Sequence, residues 1–224
     1  MATELAIGII DSGFSPAQDS LVSASRRFWL EGGELREGDT QPDVLGHGSV
    51  VLDTLTREAG PLRICVAQVF AERWQTSPLQ IAAALHWLVE QDVALVNMSL
   101  GLRNDRPVLR EACVVAQTAG VLLCASSPAQ GEPVYPASYP GVIRITGDAR
   151  CAPGQWSWLN SPQADFGAHV AAASGMAGSS VGCAALAGII AGFLRKHPGA
   201  GREAELRWLR EGAAFVGPER RGHD

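Results

Sequence analysis

The sequence predicts one α/β domain of three layers, with a mainly parallel central sheet and helices on both faces. Three observations predict it. Apolar runs of strand length alternate with segments of helical period along the chain. Small-residue turns carrying Asp11, His47, Ser180 and the segment Ser99-Leu100-Gly101 fall where strands end or helices begin. Active groups of parallel sheets collect in such places. Finally, 224 residues with 46% hydrophobic and 18% charged side chains can bury a sizeable core. No linker, internal repeat or low-complexity tract divides them, so residues 1–216 read as one domain and 217–224 as a polar tail.

The elements follow in order. Leu5 to Ile10 is a short apolar strand that ends at Asp11. Gly46-His47-Gly48 meets a helix start. Leu62 to Phe70 is β-branched and reads as a strand. Ser77-Pro78 then supplies an N-cap and first helical residue, and Ile81, Leu85 and Leu88 form the apolar stripe. Val93 to Met98 is a buried strand. Pro107 to Ala119 is a helix with Leu109, Ala112 and Ala116 on one face, stopped by Gly120. Val121 to Ala125 and Val142 to Ile145 are strands. Ser180 to His197 is a long helix closed by Pro198-Gly199, and Arg202 to Gly212 is the last helix.

Net charge is −5, which argues against a nucleic-acid-binding surface. The one dense basic cluster, Arg220-Arg221, lies in the polar tail. Cys65, Cys113, Cys124, Cys151 and Cys183 are odd in number, form no C-x-x-C pair and sit mostly inside apolar runs. Reduced, buried thiols are expected, with no disulfide or zinc site, and they point to the cytoplasm. The start Met1-Ala2-Thr3-Glu4 lacks a basic signal-peptide region. The longest apolar run, Val181 to Leu194, is rich in small residues and reads as a helix buried on the sheet, too short to span a bilayer.

Asp11, His47 and Ser180 are the parts of a charge-assisted nucleophile. A serine oxygen attacks a carbonyl, histidine takes its proton, and aspartate fixes the histidine tautomer and stabilises the imidazolium. Taken singly, each motif is an ordinary turn or cap. Their joint order is specific, since Asp, then His, then Ser is one known chain order of this triad.

The flanking residues resemble the subtilisin-like serine proteases. Ile9-Ile10-Asp11-Ser12-Gly13 resembles that family's aspartate motif. Gly46-His47-Gly48-Ser49-Val50-Val51 resembles its histidine motif, with Ser for Thr and Val for a second His. Val96-Asn97-Met98-Ser99-Leu100-Gly101 is similar to the strand that pairs with substrate. Tyr135-Pro136-Ala137-Ser138-Tyr139-Pro140-Gly141-Val142-Ile143 matches a further family segment. Gly178-Ser179-Ser180-Val181-Gly182-Cys183-Ala184 resembles the serine motif, with Ala184 in place of the usual proline. The matches run from about residue 5 to 200.

The resemblance implies a subtilisin-like fold and an Asp11-His47-Ser180 endopeptidase without cofactor or metal. It implies a peptide or protein substrate bound as an added strand along Ser99-Leu100-Gly101. It also places Ser99-Leu100-Gly101 and Ser126-Ser127-Pro128 on the wall, and Val134 at the base, of the pocket for the residue before the cut. The Ser180 N–H at the helix start would face the oxyanion. One departure stands out. The family's oxyanion asparagine falls in register on Ala129, whose side chain has nothing to donate. Either catalysis is slow, or Gln130, Ser126 or Ser127 donates instead, or the chain binds peptides without cutting them.

A second departure is size. The resemblance supplies no pro-domain before the first strand and no calcium-binding insertion. This suits an intracellular processing enzyme, such as a leader or maturation peptidase. The alternatives are a weak or inactive peptide-binding module, and a transpeptidase or macrocyclase in which an amine replaces water at the acyl-enzyme.

Overall fold

The computed structural model describes residues 5–219; Met1 to Glu4 and the Arg220-Arg221 cluster of the tail lie outside the described residues. In chain order the strands and helices are β1 (Ala6–Asp11), β2 (Val22–Glu31), β3 (Glu34–Gly38), α1 (His47–Ala59), β4 (Arg63–Gln68), α2 (Pro78–Glu90), β5 (Leu95–Met98) and α3 (Pro107–Thr118). These are followed by β6 (Leu122–Ser126), β7 (Ile143–Gly147), β8 (Trp156–Trp158), β9 (Phe166–Ala168), α4 (Ser179–Lys196), α5 (Arg202–Glu211) and β10 (Phe215–Val216). A short 3-10 turn, Pro16–Leu21, leads into β2.

Among the described residues ten strands join one sheet in the order β10-β8-β9-β7-β6-β5-β1-β4-β2-β3. Its central strands are parallel. Only the β2–β3 hairpin and the β8–β9 pair run antiparallel. The predicted three-layer α/β architecture is therefore present.

Period-two alternation sorts the strand residues into two cores. Ile10, Cys65, Ala67, Val96 and Met98 face α2 and α3 on one side. Ile7, Ile9, Ile64, Val66 and Leu95 face α1 and α4 on the other. Ser77 caps α2 as predicted, accepting from the Gln80 N–H at 3.2 Å. The predicted ends of α3, α4 and α5 differ from the observed ones by a single residue.

Small residues let α4 lie close to its neighbours. A Cβ on Gly188 would meet the Leu55 carbonyl of α1 at 2.4 Å, so only glycine fits that crossing. By length and composition α4 could cross a membrane, against the expectation that its apolar run is too short. It is a core helix here, with 67% of it buried inside the fold between α1 and the sheet. All five cysteines are free and buried.

Candidate active site

The site gathers at the carboxyl ends of β1 and β5 and the amino ends of α1 and α4. Asp11 closes β1 and is fully buried. Its Oδ1 accepts from the Ser12 N–H at 2.7 Å and from the Ser12 hydroxyl at 3.2 Å. The same oxygen lies 2.7 Å from His47 Nδ1. Ser12 ties the two halves together, because its hydroxyl also accepts from the Gly48 N–H at 2.9 Å. A Cβ on Gly48 would lie 2.2 Å from the Gly13 carbonyl, so glycine is required for α1 to approach the β1 turn this closely.

Asp43 holds the start of α1. Its carboxylate accepts from the N–H groups of Gly46 and Ser49, at 2.9 and 2.8 Å, and from the Ser49 hydroxyl at 2.7 Å. It fills the capping role that glycine at the N-cap leaves open. Burial opposes charging His47. The hydrogen bond and charge of Asp11, with the charge of Asp43, outweigh it and raise the imidazole pKa above its ordinary 6.5. Asp11 Oδ2 has no hydrogen-bond partner among the described residues.

Ser180 sits in the first turn of α4, where the leading N–H groups have no intrahelical partner. Its own carbonyl accepts from the Ser99 hydroxyl at 3.1 Å, and that hydroxyl accepts from Asn97 Nδ2 at 3.0 Å. The Ser180 hydroxyl donates to the Ser99 carbonyl at 3.3 Å, not to His47. One cleft of about 420 Å³ nevertheless joins His47 and Ser180.

The cleft also takes in Ser99, Leu100, Gly101, Ser126, Pro128 and Val134, as sequence reasoning placed them. Val134 packs on Gly101, where an added Cβ would lie 3.1 Å from the Val134 Cβ. Three expected residues are not brought in. Ser127 turns away and donates its hydroxyl to the Gln163 carbonyl at 2.7 Å. Ala129 and Gln130 are exposed in the turn beyond Pro128, where they line a neighbouring cavity. Proline fixes its own φ, and after Pro128 the turn runs out to the surface. Neither residue contributes to the cleft, so of the sequence candidates only Ser126, besides the α4 backbone, remains there as a donor.

Sequence reasoning missed three participants. Trp74, largely exposed, sets its ring edge-on to His47 with centroids 5.3 Å apart, and Phe70 lies beside it. Asp43 and Ser12 were also missed. The Asp43-to-Ser49 spacing carries a weak capping signal. Trp74 carries none, because it stands in an irregular loop. Among the described residues no group of three or more His, Cys, Asp or Glu could hold a metal ion.

Comparison with known proteins bears on the fold. No family model matches the chain. It is 29% identical over 152 residues to the minor extracellular protease Epr of Bacillus subtilis, covering 62% of this chain and 23% of Epr. It is 33% identical over 122 residues to the subtilisin-like protease het-Q2 of Podospora anserina, covering 50% of this chain and 31% of that one. The chain thus spans less than a third of either relative. The epidermin leader peptide processing serine protease of Staphylococcus aureus superposes with a TM-score of 0.68 at 17% identity, covering 92% of this chain and 68% of that one. The fold is subtilisin-like.

Proposed function

We propose that this chain, subtilase-like in sequence and in fold, is a serine endopeptidase acting through Asp11, His47 and Ser180. The observation that carries the reading is the 2.7 Å bond between His47 Nδ1 and a buried Asp11, with His47 facing Ser180 across one cleft. In the reaction the Ser180 hydroxyl leaves the Ser99 carbonyl and turns to His47 Nε2, which takes its proton as Oγ attacks the scissile carbonyl. Asp11 keeps Nδ1 protonated and steadies the imidazolium. The unpaired N–H groups at the start of α4 stabilise the oxyanion. His47 then protonates the leaving amine, and water resolves the acyl-enzyme.

The substrate is a peptide or protein segment laid in extended form beside Ser99-Leu100-Gly101, which follows β5 outside the regular ladder. We assign the enzyme to peptide processing, as a leader or maturation peptidase, in the reducing interior of the cell. Five free, buried cysteines support the compartment. The leader-processing protease with the same fold supports the role by analogy alone.

A second reading, a peptide-binding module of weak or no activity, draws on the Ser180–Ser99 bond and on the absence of Ala129 and Gln130 from the cleft. A fluorophosphonate probe read by intact mass separates the two. One adduct on the wild type that vanishes in Ser180→Ala supports the enzyme; no adduct supports the binding module.

A further inference from the structure

A cavity of about 970 Å³ opens at the other end of the sheet from the triad. Its wall includes Leu5, Ala94 and Val121, each at the residue before β1, β5 and β6, so it lies along the amino edge of the parallel strands. Leu122, Leu194 and Pro198 add further apolar surface. The volume falls within the roughly 300–1,000 Å³ range of small-molecule sites.

Three charged side chains give the cavity its polarity. Arg195 from α4 and Arg202 from α5 are exposed on its wall, and neither makes an ion pair among the described residues. Glu205, one turn into α5, also belongs to the wall, yet it is fully buried and both carboxyl oxygens lack a hydrogen-bond partner. An orphaned carboxyl inside an apolar wall is costly unless something answers it. Nothing in the proposed catalytic steps uses it.

We propose that this cavity binds a fatty carboxylate, its head held by Arg195 and Arg202 and its chain lying on Leu5, Val121, Leu122 and Leu194. Two guanidiniums on an apolar wall complement one anionic head with an apolar tail. Glu205, buried behind that wall, disfavours an anion nearby while it is ionised and does not oppose one once it carries a proton. Burial already favours that proton and lifts the carboxyl to about 7, with Arg202 opposing. The remaining titratable neighbour, the Cys124 thiol of β6, is held neutral by its own burial. Binding therefore takes up a proton, and this linkage distinguishes the site from nonspecific adsorption of a detergent-like anion.

Calorimetric titration of the full chain with decanoate, below its micellar range, tests the proposal. One saturable site is expected, unchanged in Ser180→Ala, so the outcome does not depend on the peptidase reading. Affinity should fall about tenfold between about pH 6 and about pH 8.5. Glu205→Gln should bind with little pH dependence, because its amide stays neutral. Arg195→Ala/Arg202→Ala, both surface changes, should weaken binding at least about tenfold. Absence of a saturable site, equal affinity in the double variant, or tighter binding of decylammonium overturns the proposal. So does binding that appears only after residues 2–4 are deleted, since the start of the chain would then be the occupant.

Discussion

The hydroxyl of Ser180 donates to the carbonyl of Ser99 at 3.3 Å, although His47 faces the same cleft. Under the proposed mechanism that hydroxyl must leave the Ser99 carbonyl for His47, while the Ser99 hydroxyl holds the backbone of the helix start that carries it. Ser180→Ala and His47→Ala should each lower kcat by about 10⁶, and the double variant should be scarcely worse. Peptidase turnover that survives in purified Ser180→Ala sinks the triad assignment. Ala129→Asn should change kcat by less than about threefold, because the turn beyond Pro128 leads out of the cleft. A gain near 10² would show that this turn swings in to serve the oxyanion.

The pH profile of the proposed peptidase should report His47. A base must be neutral to accept the Ser180 proton, and Asp11 and Asp43 raise the pH at which His47 loses its own. The acid limb of kcat/KM should therefore lie above the ordinary 6.5 of imidazole. Asp43→Asn should shift that limb downward, since one raising charge is gone. Asp11→Asn should cost about 10⁴ in kcat by freeing the wrong tautomer. A limb at or below 6.5 in the wild type, unmoved by Asp43→Asn, contradicts this electrostatic account.

Stability should track Glu205. Its folded pKa of about 7 exceeds the ordinary 4.5, so the folded state holds a proton that the unfolded state gives up. Stability then falls as pH rises from 4.5 to about 7 and levels off above. The full loss is about 3 kcal/mol. Glu205→Gln should match the wild type in mild acid and exceed it above neutrality in urea unfolding. Equal midpoints for both proteins at about pH 8.5 contradict a buried, unpartnered carboxylate.

Much of this was legible in the sequence, for physical reasons that differ by element. The central strands and α2 to α5 announce themselves because buried strands read as apolar runs and the helices are bounded by proline or glycine, with a side-chain cap on α2. The β2–β3 hairpin did not, since Arg26, Arg27, Glu34, Arg36 and Glu37 break any apolar alternation at an exposed sheet edge. Strands β8, β9 and β10 are too short to carry a period. Asp11, His47 and Ser180 could be picked out as candidates because each sits in a small-residue turn and their order is diagnostic, and the structure brings Asp11 to His47 and lines one cleft with His47 and Ser180. Ser127, Ala129 and Gln130 fall outside the lining of the cleft that holds His47 and Ser180, because register along a strand says nothing about where the following turn goes. Trp74 reaches His47 through tertiary folding of an irregular loop, for which no local pattern exists.

Val134 should set the residue accepted before the scissile bond. It lines the cleft together with Gly101, Ser126 and Pro128, and its Cβ would lie 3.1 Å from a Cβ on Gly101. The branched side chain thus occupies space on the side where Gly101 has none to fill it. A pocket so narrowed admits Gly, Ala or Ser and disfavours Phe, Tyr or Lys, with each excluded methylene worth about 1–3 kcal/mol of discrimination. Val134→Gly should raise kcat/KM for cleavage after Phe by about 10-fold or more, with little change after Ala. Val134→Ala should give a smaller gain and guards against backbone loosening in the glycine variant, because Tyr135 next to it pairs with Leu102 through two backbone hydrogen bonds. Peptide-library profiling of the three proteins reads the result. Efficient cleavage after large aromatic or basic residues by the wild type, unaltered in both variants, removes Val134 from the pocket.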